Sequence, residues 1–157
     1  MTESEQYKLL VQHIEIKSVS LLNQNVRRYG VPFVAFSARS RRVNTDTHFA
    51  MRATDEQGHF LANASLDLRA TAIVDGKRRV LARIALEYEL GYVVSKEVME
   101  RFTATLKDNN GALGNIFQRF ADMNVRVNVW PYMRAEVAHI STALDIPVIT
   151  LQVMRRG

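Results

Sequence analysis

The sequence predicts an α+β domain: a four-stranded antiparallel sheet with long strands, followed by C-terminal helices that pack on one face. Three observations carry this expectation. Apolar–polar alternation runs from Ala62 to Tyr92 and is broken at Asp75-Gly76. Two less regular alternating segments precede it. Beyond Ser95 the apolar spacing changes from two residues to three and four. A chain of 157 residues fits one domain, residues 1–157.

The first segment, Gln12 to Leu22, carries Ile14 and Ile16, then Val19 and Leu21. The phase change near Ser18 predicts a bulge or bend in a strand. Asn23 to Asp46 reads as a long connection containing Gly30-Val31-Pro32. It is apolar at Tyr29, Phe33, Val34 and Phe36. A loop of that length inside a compact domain is usually functional or mobile. Two readings of its rings stand side by side: an exposed patch that marks an interaction site, or a fold-back that completes the core. Thr47 to Ala53 is a short second strand.

From Ala62 to Val74 every even position is Ala, Leu or Val, and the odd positions are mostly polar. Period two with one apolar face means a half-buried strand, roughly 40 Å long at about 3.3 Å per residue. Asp75-Gly76 is a hairpin turn pair. Alternation resumes through Val80, Ala82, Ile84, Leu86, Tyr88, Leu90 and Tyr92. The small residues on this face leave room for another element to pack closely.

Ser95 is a helix cap, with Val98, Met99, Phe102 and Leu106 on one face. Asp108 to Gly111 ends that helix, and Leu113 to Met123 forms another. Alternation at Val125, Val127 and Val129 predicts a short extended stretch. Pro131 then suits the first turn of a last helix, in which Met133, Val137, Ile140 and Leu144 share a face. Trp130 and Tyr132 flank Pro131 and anchor the helix start to the sheet. Pro147 stops the helix.

Composition bounds the chemistry. There is no cysteine, which excludes disulfides and thiolate sites. No apolar run approaches the roughly 20 residues of a membrane helix. The acidic, polar start Thr2-Glu3-Ser4-Glu5 does not resemble a secretory signal, so a cytoplasmic location is expected. His13, His48, His59 and His139 show no metal-ligand spacing, and no nucleotide or nucleophile motif is present. Glu87 and Glu89 share a strand face, about 7 Å apart by strand rise. Alternation already explains them as solvated, and nothing converges on them. No enzyme activity, cofactor or metal is expected. The net charge is +5, in clusters such as Arg27-Arg28 and Lys77-Arg78-Arg79. This keeps a basic nucleic-acid-binding protein as the alternative reading, although no aromatic-interleaved single-strand signature accompanies the clusters.

Val129-Trp130-Pro131-Tyr132-Met133-Arg134 resembles the aromatic-Pro-Tyr-Ala-Arg segment that opens the main helix of the SecB chaperone family. Lys17-Ser18-Val19-Ser20 resembles its Lys-Asp-x-Ser in the first strand. Glu87 to Tyr92 resembles the end of its long strands, and Ile146-Pro147 its hydrophobic-Pro pair. The resemblance covers residues 10–150. It implies a four-stranded antiparallel sheet, a homotetramer built as a dimer of dimers, and ATP-independent holding of unfolded polypeptide clients on apolar surfaces. It places Tyr29, Phe33, Val34, Phe36 and Tyr92 in client contact and Trp130, Pro131, Tyr132 and Arg134 at a structural helix start.

The family is acidic and meets the export motor SecA through acids of the first strand and hairpin. Here Ser18, Leu22 and Lys77-Arg78-Arg79 stand at those places, and the family's Ala-Pro-Val-Asn-Phe segment and following helix do not appear before Gly157. SecA is therefore not an expected partner. Family variants that shield an antitoxin make a dedicated client the other expected role, beside export.

Overall fold

The computed structural model describes residues 2–54, 57–106 and 112–152. Helix α1 (Glu3–His13) opens the chain, and its N-terminus is a capping box: the Glu5 amide donates to Thr2 Oγ1, and the Thr2 amide donates to the Glu5 carboxylate. This arrangement satisfies two of the amides that a helix start leaves unpaired. The strands are β1 (Glu15–Arg28), β2 (Arg42–Ala53), β3 (His59–Val74) and β4 (Lys77–Val93), in the sheet order β1-β4-β3-β2. Neighbours run antiparallel. Helices α2 (Lys96–Leu106), α3 (Ala112–Phe120) and α4 (Arg126–Ala143) follow, with a π-helical turn at Ala121–Val125 between the last two. Among the described residues no helix is long and apolar enough to cross a membrane.

The α+β class and the long hairpin agree with the sequence expectation. On β3, Ala62, Ala64, Leu66, Leu68, Ala70 and Ala72 are each 2% exposed or less. On β4, Ala82, Ile84, Leu86, Tyr88, Leu90 and Tyr92 form the matching face. Each large aliphatic buried this way contributes about 1.5–3 kcal/mol. Asp75 and Gly76 both have positive φ, 51° and 78°, as a two-residue primed turn requires. Val74 and Lys77 flank that turn, yet Asp67 and Arg83 meet on one face in a bidentate ion pair. That pairing requires a one-residue offset between turn and pair. The consecutive burial of Leu81 and Ala82 puts it on β4, where a bulge would produce it.

The chain divides into two compact units. One comprises Met1–Ser20, Phe49–Ala64 and Tyr88–Val129; the other comprises Leu21–His48, Ser65–Glu87 and Trp130–Gly157. In the first, α3 lies on the apolar sheet face. The Phe117 ring stands edge-on to Phe60, and Phe120 edge-on to Tyr92, each at 5.3 Å between centroids. Ser95 caps α2 through the Val98 amide. In the second unit, buried Ser141 donates to the Val137 carbonyl and accepts the Ile149 amide, while Trp130 Nε1 donates to the Gln152 carbonyl at 2.7 Å. These bonds hold the segment after α4 against that helix.

Several boundaries differ from expectation. The first strand runs to Arg28 and the second starts at Arg42, so the connection is residues 29–41 rather than 23–46. Residues 121–143 are helical throughout. The expected extended stretch at Val125 to Val129 is absent, and Trp130, Pro131, Tyr132 and Arg134 lie inside a helix rather than at its start. Val125, Val129, Met133 and Val137, spaced by four, are all fully buried. Their packing outweighs the roughly 3 kcal/mol that an internal proline costs. The helix ends where Asp145 turns left-handed (φ 55°). The Ile146 amide reaches the Ser141 carbonyl and the Asp145 amide the Thr142 carbonyl, a Schellman pattern. The expected stop at Asp108 to Gly111 lies outside the described residues.

Candidate functional site

Residues 29–41 form an ordered, tied-down loop. The Tyr29 amide extends the β1–β4 ladder to the Leu81 carbonyl. Pro32, with φ −56°, leads into a 3-10 turn at Phe33–Ser37, which the Ala35 and Ala38 amides close onto Pro32 and Ala35. Arg41 Nη1 donates to the Phe36 carbonyl at 3.0 Å. Ser40 Oγ accepts the Ile73 amide, and Arg78 donates to both the Ser40 carbonyl and Thr71 Oγ1.

The 3-10 geometry sorts the apolar side chains. Residues three apart eclipse in such a turn, so Phe33 and Phe36 fall on one side, with ring centroids 6.4 Å apart. Phe36 is 1% exposed, and Phe33 is 56% exposed above it. Val34 is 73% exposed. Tyr29 is half-buried, with the Arg27 guanidinium 4.7 Å from its ring centroid. Arg28 stands 5.0 Å from the Phe36 ring. Both separations lie within cation–π range.

The structure therefore brings Phe33 and Phe36 together, with Val34 exposed in the same turn, and sets Tyr29 apart at the start of the loop against Arg27. Phe36 is the floor, while Phe33 and Val34 are the part a partner can touch. Tyr92 is a correction to the expected contact set. It belongs to the core of the other unit at 2% exposure, edge-on to Phe120, with its hydroxyl accepting from Asn128 Nδ2 at 2.9 Å. Burial pushes its phenol pKa up, and the Asn128 hydrogen bond opposes the shift. Trp130 is buried and bonded to Gln152, whereas Tyr132 is half exposed.

Sequence reasoning missed a second apolar surface. In the strand order, β1 and β2 are the edges. No residue of β1 is buried; Ile16, Leu21 and Leu22 are 43%, 41% and 56% exposed. The irregular phase of Gln12 to Leu22 was the available signal, because a strand wet on both faces need not alternate. Gly91 of β4 explains one neighbour: a Cβ there would lie 2.6 Å from Ser18 Oγ, so the serine occupies the space that the glycine leaves. Among the described residues, no three His, Asp or Glu side chains converge in a way that would hold a metal ion.

No protein-family model matches the sequence, and no curated protein matches it. The structure does match. It aligns with the Mycobacterium tuberculosis Rv1957 SecB-like chaperone, solved in complex with a ChAD peptide from the Rv1956 HigA1 antitoxin. The TM-score is 0.74 at 18% identity, covering 98% of this chain and 99% of that one. A protein of unknown function from Streptococcus agalactiae aligns at TM-score 0.48 and 13% identity, over 88% of this chain and 96% of that chain. The chain has a SecB-like fold.

Proposed function

We propose that the chain is an ATP-independent SecB-like chaperone that holds an unfolded polypeptide, and that it serves a dedicated client, such as an antitoxin, in preference to general export. The observation that carries the reading is the fold shared along the full chain with a SecB-like chaperone that binds an antitoxin peptide. The half-exposed Phe33 and the exposed Val34 on an anchored turn supply a suitable surface, since exposed apolar side chains on ordered supports mark interaction sites. Export is disfavoured by charge. Ser18, Leu22, Lys77, Arg78 and Arg79 are all exposed and offer no carboxylate to a basic SecA tail.

In this reading residues 1–157 act as one cytoplasmic SecB-like domain within a homotetramer. Support for self-association comes from edge strand β1, whose outer backbone groups and apolar side chains are open to a pairing strand. Holding needs no cofactor, because burial of apolar surface supplies the free energy at about 25 cal/mol per Å².

The test is suppression of aggregation of a chemically unfolded, apolar client without nucleotide, at low salt and again at about 0.5 M salt. The expected result is suppression at both, because apolar burial survives salt that would abolish phosphate-type contacts. Failure to suppress aggregation at any protein excess would end the chaperone reading. Suppression lost at high salt would favour a polyanion-binding protein.

A further inference from the structure

The charge of this chain is not spread evenly. The unit containing the Phe33–Ser37 turn has thirteen Lys and Arg against six Asp and Glu, a net +7; the other unit has eight against ten, a net −2. Within the basic unit the cations gather around the apolar turn. Arg28 lies against Phe36, Arg41 donates to the Phe36 carbonyl, and Arg39 sits in the loop itself, exposed; Arg78 reaches Ser40. Arg27, next to Arg28 along β1, points to the opposite sheet face, against Tyr29. Of the hairpin acids Asp67, Asp75 and Glu87 in this unit, Asp67 is already committed to Arg83 in a bidentate pair. Among the described residues none of Arg27, Arg28, Arg39, Arg41 and Arg78 is ion-paired. The turn is thus an apolar centre with guanidinium groups beside it that form no ion pair.

We infer that this surface selects polypeptide segments in which an apolar core of a few residues is flanked by Asp or Glu. Two features favour such an occupant. The centre, Phe33 and Val34, is aliphatic and aromatic and offers nothing polar to a client. The rim offers the guanidinium groups of Arg28, Arg39 and Arg41, whose planar forks match carboxylates. A rim of one sign mainly sets encounter rate and partner choice, while the apolar centre supplies the holding. A segment with basic flanks would meet like charge at the rim, which disfavours it. The inference rests on the chaperone reading and narrows it from any unfolded chain to a class of sequences. An acidic-flanked client is also the class that a chaperone ringed by carboxylates would repel.

The experiment uses three fluorescent peptides with one common apolar core, flanked by Glu, Gln or Lys, and measures their anisotropy with the full-length protein. At low salt the Glu-flanked peptide should bind about tenfold more tightly than the Gln-flanked one, and the Lys-flanked peptide more weakly than either. At about 0.5 M salt, where the screening length falls to roughly 4 Å, the three should converge within about threefold. The double variant Arg28→Gln with Arg39→Gln, checked by its melt, should narrow the Glu–Gln gap to under about threefold. Equal binding of the Glu- and Gln-flanked peptides at low salt overturns the inference while leaving the chaperone reading intact. If none of the three binds even at millimolar protein, both fall. Displacement of the Glu-flanked peptide by a short single-stranded RNA, with a steep salt slope, would reassign the rim to nucleic acid. A change in assembly mass on Phe33→Ser with Val34→Ser would mean that a second copy covers the turn, and would also overturn the inference.

Discussion

Phe33 and Phe36 are the same residue type three positions apart on one turn, and the structure gives them opposite jobs. Phe36 is 1% exposed, packed against Phe33 at 6.4 Å and beneath Arg28 at 5.0 Å. Truncating a ring with that environment removes its transfer free energy and leaves a cavity, together about 3–5 kcal/mol. Phe33 is 56% exposed. Less than half of its surface has left water, so Phe33→Ser should cost about 1 kcal/mol on the same area scale. With a urea slope of about 2 kcal/mol per molar, the Phe36→Ser midpoint should fall by roughly 2 M and the Phe33→Ser midpoint by about 0.5 M. Denaturation should be followed by tryptophan fluorescence from Trp130 and by circular dichroism at one protomer concentration, because association shifts apparent stability. Binding of the neutral Gln-flanked peptide supplies the other axis. Phe33→Ser should weaken it while the protein stays folded, whereas Phe36→Ser should lower only the folded fraction. Equal midpoints for the two variants would refute the assignment of floor and surface. So would a Phe36→Ser protein as stable as the parent.

Two glycines should respond oppositely to alanine. Gly58 has φ +96°, and a Cβ added there would lie 2.4 Å from the Val94 carbonyl oxygen, so Gly58→Ala should lose about 3 kcal/mol or more by thermal melt. Gly114 lies exposed in α3 with nothing within 4 Å, so Gly114→Ala should gain about 0.5–1 kcal/mol. Burial raises the Tyr92 phenol pKa in the folded state, so the stability linked to its proton is complete below the ordinary value of 10.0 and is lost as pH rises through the higher folded value. Tyr92→Phe, which loses the Asn128 bond, should be less stable by about 1 kcal/mol near neutrality, and the deficit should shrink in denaturation curves taken above pH 10. Calorimetry with a basic, zinc-bearing SecA tail peptide at low salt should show no submicromolar binding, since Lys77, Arg78 and Arg79 are exposed and like-charged; submicromolar affinity would restore an export role.

The hairpin was legible because both strands have one wet and one dry face, so period two holds from Ala62 to Val74 and again from Ala82 to Tyr92. The other elements escaped for separate physical reasons. Strand β1 is wet on both faces, which removes the pressure to alternate, and its reach to Arg28 left no mark. Helix α1 buries only Gln6 and Leu10, too few for a periodic stripe, although the Thr2-x-x-Glu5 capping box stood in the sequence. In helix α4, Pro131 suggests a start at the sequence level, although the helix begins at Arg126. The spacing of Val125, Val129, Met133 and Val137 passes straight through the proline, and buried packing overrode the local rule. The apolar loop itself was visible, but which ring faces water was not. That depends on a 3-10 turn held by Arg41, Ser40 and Arg78 from residues distant in sequence.

If the chain holds clients as proposed, the turn's own size makes holding collective. Exposed Phe33 and Val34 present on the order of 200 Å² of apolar surface, worth about 5 kcal/mol if fully buried. Ordering a client costs several kcal/mol in lost freedom, so one protomer would hold a segment no better than millimolar. The anchored backbone of residues 29–41 limits the cost on this chain's side, but it does not close that gap. Several turns engaging one long client would, since each later contact forms at millimolar effective concentration. Under the proposed self-association, the exposed edge strand β1 would bring turns together. A variant that separates protomers, such as Leu22→Lys on that edge, should therefore lose most of its suppression of aggregation of a long client, while its affinity for a peptide short enough to fill one turn stays as weak as before. If the separated protomer instead held the long client as tightly as the assembly does, the apolar turn would be too small to account for holding, and the main contact surface would lie elsewhere on the chain.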